Sequence, residues 1–217
     1  MHDFLDHLKD ILKLLGETRR IFHSEADFQH ALAWEIHTKF KGCKIRLERP
    51  YEMPSGSYHL DLLVILDSGH PHKIGIELKY LKKQITTKDD GEEYRLSNHG
   101  AQSDARYRFF KDISRLNELK ASKDIDEGYA IVLTNDPLYW KQPKSPTREL
   151  DYEAFKIHDE HESRSGELNW DNEDNKAHKN MPKLFFSESY KFSWVNYSDV
   201  PSLDVTNGKF QYLMVKA

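Results

Sequence analysis

Between residues 24 and 134 the spacing of apolar residues changes from helical to alternating and back to helical, and few folds accommodate this order. Phe28, Leu32 and Ile36 recur every four residues, as on one face of a helix. Three segments with strand-like alternation and a second helical segment follow. The pattern ends with the apolar segment Gly128–Thr134, typical of a strand buried on both faces. The order α–β–β–β–α–β predicts an α/β fold with a mixed sheet flanked by helices.

The bounds of these elements follow from caps and turns. Ser24 is a suitable N-cap for the first core helix, with Asp27 three residues further on. The predicted core strands are Lys44–Glu48, Tyr58–Leu66, Lys73–Tyr80 and Gly128–Thr134, and the second core helix is predicted over 101–120. The polar residues 82–100 between strand and helix predict a long loop or lid.

The segments outside this core extend it without indicating a second domain, so residues 1–217 are expected to form one domain. An N-terminal helix is predicted within residues 1–20, the α–β–β–β–α–β core over 24–134, an irregular polar excursion over 135–182 and C-terminal strands within 183–217. The two predicted C-terminal strands are Tyr190–Tyr197 and Phe210–Val215. We expect them to extend or cap the sheet.

The distribution of charge indicates where an anionic partner would bind. The net charge of −4 argues against a protein that coats nucleic acid by bulk electrostatics. Residues 73–120 nevertheless carry 11 Lys and Arg against 8 Asp and Glu, whereas residues 151–176 carry 3 against 9. With a single cysteine, Cys43, and no long apolar segment, the sequence predicts a cytoplasmic protein that does not bind membranes.

Three charged residues interrupt the apolar strands of the core. Asp61 lies within the second predicted strand, and Glu77 and Lys79 lie two residues apart in the third. Alternate side chains leave the same face of a strand, and a hairpin between the strands brings Asp61 beside Glu77. Charges among apolar neighbours are costly unless they have partners, and a divalent metal is the natural partner of two carboxylates.

This set of residues indicates a hydrolytic reaction. Asp61, Glu77 and the backbone carbonyl of Leu78 are oxygen ligands of the kind that Mg²⁺ takes, and Mn²⁺ is expected to substitute for it. A bound metal acidifies a water molecule and neutralises charge on a phosphodiester. Lys79 would orient the attacking water and offset the developing negative charge. Phosphodiester hydrolysis fits this set better than acyl or glycosyl transfer.

With these residues, the sequence resembles the PD-(D/E)XK superfamily of restriction-endonuclease-like nucleases. The matches are Asp61 and Glu77-Leu78-Lys79 within an α–β–β–β–α–β order over 24–134, about half the chain; Leu60 stands where the family has proline. The resemblance implies a restriction-endonuclease-like core, a magnesium-dependent DNA endonuclease and a setting in restriction or defence. It also implies a homodimer, for which the helix at 3–20 is a candidate contact.

Family members often add a glutamate from the first core helix to the catalytic residues. The candidates here are Glu25, Gln29 and Glu35. Glu25 and Gln29 share the helical face of Phe28, whereas Glu35 lies at its edge. Glu25 is therefore the favoured fourth catalytic residue and Gln29 the second choice; placement of Glu25 in the first helical turn is the structural alternative.

Basic and polar residues beside this site are candidates for contact with the nucleic-acid backbone. The predicted contacts are Lys82, Lys83, Gln102, Arg106 and Arg108, with Lys111 and Arg115 further along the same helix. For the two lysines the alternative is a solubilising loop. For the arginines it is a solvated helix face with Asp112 as a neighbour.

Two other functions remain open at the level of the sequence. The same fold could serve as a non-catalytic module that binds nucleic acid or protein, and the acidic stretch within 141–182 suits a protein partner. A catalytic site of this type could also hydrolyse RNA or structured DNA, because the residues do not distinguish these substrates from duplex DNA.

Overall fold

The protein is described by a computed structural model over residues 3–53, 56–67, 69–141, 153–158, 163–171, 178–200 and 207–217. The helices are α1 (Phe4–Thr18), α2 (Glu25–Lys39) and α3 (Gln102–Ala121), and a short 3-10 helix spans Glu153–Phe155. The strands are β1 (Lys44–Met53), β2 (Gly56–Asp67), β3 (Pro71–Leu81), β4 (Ile85–Asp89), β5 (Glu92–Leu96), β6 (Glu127–Thr134), β7 (Arg164–Leu168), β8 (Leu184–Tyr190), β9 (Trp194–Asp199) and β10 (Lys209–Lys216).

Six strands form one mixed sheet in the order β1-β2-β3-β6-β10-β9. The contact between β3 and β6 is parallel and the other four are antiparallel. A parallel pair needs a crossover, and α3 lies in the segment that links β3 to β6. The expected α/β fold with a mixed sheet flanked by helices is therefore confirmed.

Helices cover both faces of the sheet, which accounts for two apolar clusters. Leu62, Ile76 and Leu78 pack with α1 and α2 on one face. Leu63 and Val132 pack with α3 on the other. Because strand side chains alternate between faces, a single strand contributes to both clusters.

The two core helices begin and pack much as the sequence predicts. The Ser24 hydroxyl accepts a hydrogen bond from the Asp27 amide at 3.1 Å, which caps α2. Phe28, Leu32 and Ile36 are fully buried on the inner face of α2. The predicted amphipathic face is thus confirmed.

Two glycines bring α3 close to the sheet. Gly75 on β3 and Gly128 on β6 are paired in register. A Cβ atom at Gly75 would lie 3.2 Å from Leu116 Cδ2, and one at Gly128 would lie 3.0 Å from Leu116 Cβ. Larger residues would lift α3 away from the sheet, so these glycines set its height.

The prediction of a long loop at 82–100 is wrong, since this segment contains the hairpin β4–β5. Ile85, Tyr94 and Leu96 are buried in the apolar cluster, and Thr87 and Asp89 are buried as well, whereas Thr86, Lys88 and Arg95 are exposed. Arg20 forms an ion pair with Asp89 and fixes the hairpin to the α1–α2 connection. Two five-residue strands among many charged residues produce too weak an alternation for recognition from sequence.

The C-terminal predictions hold only in part. Tyr190–Tyr197 is not one strand, because Tyr190 ends β8 and Trp194 begins β9. The prediction that late strands extend the sheet is confirmed for β9 and β10, which form its far edge.

The excursion predicted at 135–182 is less solvated than expected where the structure describes it. Phe155, Ile157, Leu168 and Trp170 are buried in the cluster under α3. Residues 142–152, 159–162 and 172–177 of this prediction lie outside the described residues. Among the helices in the described ranges, none combines the length and apolar character needed to cross a bilayer.

Candidate functional site

The strands β2 and β3 separate next to Asp61, one of the residues predicted from the sequence to bind a metal. Their antiparallel pairing runs from Asp67 and Pro71 to Leu62 and Ile76, and it stops there. The next residue on β2 is Asp61, whose Oδ2 accepts a hydrogen bond from the Leu78 amide at 2.6 Å. A carboxylate side chain thus replaces the strand partner at this edge of β3.

A backbone distortion accompanies this separation. Glu48 on β1 lies opposite Asp61 and has φ of 50°, in the left-handed region that residues other than glycine rarely adopt. Leu60 and Leu62 would share a face in a regular strand, yet they pack in clusters on opposite faces of the sheet. The alternation of β2 is therefore interrupted at Asp61, next to its contact with β3.

Helix α2 contributes two polar side chains to the same edge. Glu25 Oε2 accepts a hydrogen bond from the Tyr80 amide at 2.6 Å. Gln29 Nε2 donates to the Asp61 carbonyl at 2.8 Å and to Glu48 Oε1 at 2.7 Å. Both candidates from this helix thus reach the site, whereas Glu35 lines a different groove.

Glu77 is a deeply buried acid of the site. Its side chain is on β3 facing α3, and the residue is only 3% exposed. Its Oε1 atom has no hydrogen-bond partner among the described residues. Burial raises the pKa of Glu77 well above its usual value, and the nearby carboxylates of Asp112 and Asp61 raise it further.

Lys79 lies on the same face of β3, two residues after Glu77. Its Nζ atom is 2.8 Å from Asp112 Oδ2, and it donates a hydrogen bond to the Leu78 carbonyl at 3.2 Å. Burial acts to lower the pKa of Lys79, but Asp112, Glu25 and Glu77 outweigh it and the pKa is raised. The amine is therefore charged at neutral pH.

Asp112 is a site residue that the sequence analysis treated only as a neighbour on a solvated helix face. It is 2% exposed, and Arg115 Nη1 lies 3.2 Å from its Oδ1. One signal was available, because Asp112 follows Phe109 by three residues and precedes Leu116 by four. An acid at that position of an amphipathic helix faces the core and requires a partner.

A cationic cleft of about 320 Å³ opens beside Lys79 and Asp112. Its other cations are Arg108, Lys111 and Arg115 on α3. Asn180 and Met181, which precede β8, also line the cleft. Arg108 is exposed. These side chains are placed where an anion such as a phosphate would be attracted.

The other residues predicted to contact a nucleic-acid backbone form contacts within the protein. Lys83 Nζ lies 3.5 Å from Asp136 Oδ1, and Gln102 Nε2 donates to Asp136 Oδ2 at 2.6 Å. Lys82 Nζ lies 5.9 Å from the ring centroid of Tyr80. Lys82 and Lys83 are nevertheless partly exposed.

The prediction that Arg106 contacts a nucleic-acid backbone requires correction. The residue is 1% exposed, and its guanidinium lies 4.9 Å from the ring centroid of Tyr139. It also donates a hydrogen bond to the Leu138 carbonyl at 2.5 Å. Arg106 joins α3 to the segment after β6 and presents no group to a ligand at the surface.

The Asp61 carboxylate makes the stability of the metal-free protein depend on pH. Burial raises the pKa of Asp61 from 3.8 to about 6, although the Leu78 amide and Lys79 act to lower it. The folded state therefore binds a proton that the unfolded state releases, and stability decreases as pH rises from about 4 to about 6. The expected decrease from Asp61 is on the order of 2–3 kcal/mol.

Urea unfolding in EDTA between these pH values checks this expectation, with Asp61→Asn as the comparison. The asparagine variant lacks the titrating group, so its unfolding free energy should change less across the interval. An equal change of unfolding free energy with pH in the two proteins would contradict the raised pKa of Asp61.

Among the described residues, no group of three or more His, Cys, Asp or Glu side chains is arranged so that it could hold a metal ion. The ligand set expected from sequence is smaller, with two carboxylates and the Leu78 carbonyl. Comparisons with known protein families, with curated proteins and with solved structures find no match to this chain.

Proposed function

We propose that this chain is a metal-dependent endonuclease that hydrolyses phosphodiester bonds of DNA. The observation that supports this proposal is the separation of β2 and β3, which leaves Asp61, Glu77 and Lys79 at the part of β3 that β2 no longer pairs with. The α–β–β–β–α–β order and the Glu-x-Lys spacing also resemble the PD-(D/E)XK nucleases. A role in restriction or another defence system, and a homodimer, are proposed by analogy with that superfamily alone.

The charges of the site favour a divalent cation. Asp61, Glu77, Asp112 and Glu25 are four acids that act electrostatically on one another or on Lys79. The cations in the same network are Lys79 and Arg115, so the fully ionised site carries a formal charge of −2. One divalent cation balances this charge, and it would give the Oε1 atom of Glu77 a partner that the described residues do not supply.

The residues that would hold Mg²⁺ are Asp61, Glu77 and the carbonyl of Leu78. Two carboxylates and a carbonyl suit Mg²⁺, which usually keeps several of its waters, and Mn²⁺ accepts the same oxygen ligands. When bound, the ion supplies an acidified water and neutralises charge on the phosphate. The Leu78 carbonyl now accepts a hydrogen bond from Lys79 and would exchange this donor for the ion.

The protein's own groups position and stabilise the reacting phosphate. Lys79 is charged and lines the cationic cleft, so its amine offsets negative charge that develops on the phosphate oxygens. Arg108 and Lys111 in the same cleft would bind neighbouring phosphates. Glu25 and Asp61 keep the edge of β3 open, since each binds an amide that a further strand would otherwise use.

A binding module without catalysis is the second candidate function. It is favoured by one observation, the cationic cleft, which can attract a polyanion without a metal. The two candidates differ in their response to metal. Calorimetric titration with Mg²⁺ or Mn²⁺ should show binding that Asp61→Ala abolishes if the site is catalytic, and no such binding if the protein is a module.

The decisive experiment measures cleavage of supercoiled, linear and single-stranded DNA, and of RNA, in Mg²⁺, Mn²⁺ and EDTA. We expect metal-dependent cleavage of DNA by the wild type and a decrease of about 10²-fold to 10³-fold in Lys79→Met, because one preorganised cation is removed. Binding of DNA in EDTA should change little by comparison.

Lys88→Met is the matched control, since Lys88 is exposed on β4 and is not among the described residues that line the cleft. It should cleave as the wild type does. Equal traces of activity in the wild type and Lys79→Met would indicate a contaminant and contradict the proposal. Cleavage of RNA without cleavage of DNA would contradict the proposed DNA substrate and identify the protein as a ribonuclease.

A further inference from the structure

A buried acid on α3 contacts two cations of the candidate site. Asp112 is 2% exposed and stands four residues before Leu116, which packs on the paired glycines of β3 and β6. Its Oδ2 lies 2.8 Å from Lys79 Nζ and its Oδ1 lies 3.2 Å from Arg115 Nη1. Each carboxylate oxygen thus lies within ion-pair distance of its own cation, and the pair between Oδ2 and Lys79 is ionic without a hydrogen bond of regular geometry.

We propose that Asp112 is a positioning residue, which holds the Lys79 amine on the α3 side of the site and away from Asp61 and Glu77. This inference rests on the proposed nuclease function. Lysine has a long, flexible side chain, and without a partner on α3 its amine would be free to approach the two acids beside it. There it would neutralise the two carboxylates that are proposed to bind the divalent cation.

The contacts of Lys79 support this role. The Lys79 contacts within the described residues are the ion pair with Asp112 and the hydrogen bond to the Leu78 carbonyl. The amine therefore lies at the wall of the cationic cleft, where a phosphate can reach it.

Arg115 keeps the Asp112 carboxylate in its orientation. It is one helical turn from Asp112, and its guanidinium also lies 4.9 Å from the ring centroid of Tyr58 on β2. Because α3 packs closely on the sheet, both partners of Asp112 are attached to rigid elements. A buried ion pair adds little net stability compared with apolar packing, so positioning accounts for this arrangement better than stabilisation does.

Nuclear magnetic resonance of the lysine ammonium groups tests the contact without any requirement for cleavage. The wild type should show one ammonium signal with slow hydrogen exchange, identified by its loss in Lys79→Met. In Asp112→Asn this signal should be lost, or its ammonium hydrogens should exchange rapidly with water. Asp104→Asn, the same change in the first turn of α3, should retain the signal. Absence of a slowly exchanging Lys79 signal in the wild type would overturn the proposal, even if Asp112→Asn does not fold.

Cleavage kinetics give the second readout. In folded Asp112→Asn we expect kcat to decrease by about 10-fold to 100-fold, because a displaced amine no longer meets the phosphate. KM should be unchanged or lower, since a negative charge leaves the cationic cleft. Asp112→Glu should recover part of kcat, and Asp104→Asn should have the kcat of the wild type.

The outcomes separate this inference from the nuclease proposal. A wild type that never cleaves nucleic acid contradicts the proposed function, while the ammonium signal still reports whether Asp112 holds Lys79. An active wild type with full kcat in folded Asp112→Asn contradicts the positioning role alone. A merely structural role would reduce stability and leave kcat per folded molecule unchanged, which would also overturn the inference.

Discussion

Glu77→Gln is expected to reduce metal-dependent cleavage by about 10³-fold or more and also to stabilise the metal-free protein at pH 7 by about 1–3 kcal/mol. Cleavage decreases because a neutral amide is a poor ligand for Mg²⁺. Stability increases because burial and two neighbouring acids raise the pKa of Glu77 well above its usual value. Folding of the wild type at neutral pH therefore includes the cost of burying this acid, and the glutamine variant avoids this cost.

Urea unfolding in EDTA and cleavage in Mg²⁺ measure the two effects. The stability gain should disappear as pH falls below about 4.5, the usual pKa of a glutamate, because the unfolded chain is then protonated as well. Excess Mg²⁺ should stabilise the wild type more than the variant. Glu52→Gln, at an exposed position of β1, is the matched control and should change neither quantity. A folded Glu77→Gln that cleaves normally would refute the assigned role of Glu77.

Gly16→Ala is expected to lower the free energy of unfolding by about 3 kcal/mol or more. A Cβ atom at Gly16 would lie 2.1 Å from the carbonyl oxygen of Tyr197 and 3.1 Å from its carbonyl carbon. These are backbone atoms of β9 at the far edge of the sheet, so no side-chain rotation can relieve the clash. Helix α1 would have to move away from β9.

The sign of this effect is informative, because alanine stabilises an exposed helix relative to glycine by about 1 kcal/mol. Gly100→Ala serves as the control, since in the described part of the chain no atom beyond its two chain neighbours lies within 4 Å of the added Cβ, and its stability should stay within about 0.5 kcal/mol of the wild type. Chemical denaturation followed by circular dichroism checks both variants. A Gly16→Ala protein as stable as the wild type would show that α1 does not pack against β9 in this way.

The predictions that hold concern local periodicity. The inner face of α2 follows from the four-residue spacing of Phe28, Leu32 and Ile36, and all three are buried. The common face of Glu77 and Lys79 follows from the two-residue period of a strand. Each of these features is set by the chain within one element and is therefore visible in sequence.

The predictions that fail concern weak or long-range signals. The hairpin β4–β5 has short strands rich in charge, and the contacts of Arg20 that anchor it come from a distant segment. Arg106 looks like a surface cation in sequence, yet the ring of Tyr139 and a backbone carbonyl enclose it. Local sequence carries no information on which partner a long polar side chain will meet.

The sequence by itself determined the order of the two core helices and the four core strands, though not the hairpin β4–β5, and the residues proposed to bind a metal, because alternation and helical spacing act over a few residues. Only the tertiary structure decided that β2 and β3 part at Asp61, that Glu25 and Gln29 reach this gap and that Asp112 meets Lys79. The physical reason is that these contacts join elements distant in sequence. Their geometry depends on how closely α3 can approach Gly75 and Gly128, which no single segment of the chain specifies.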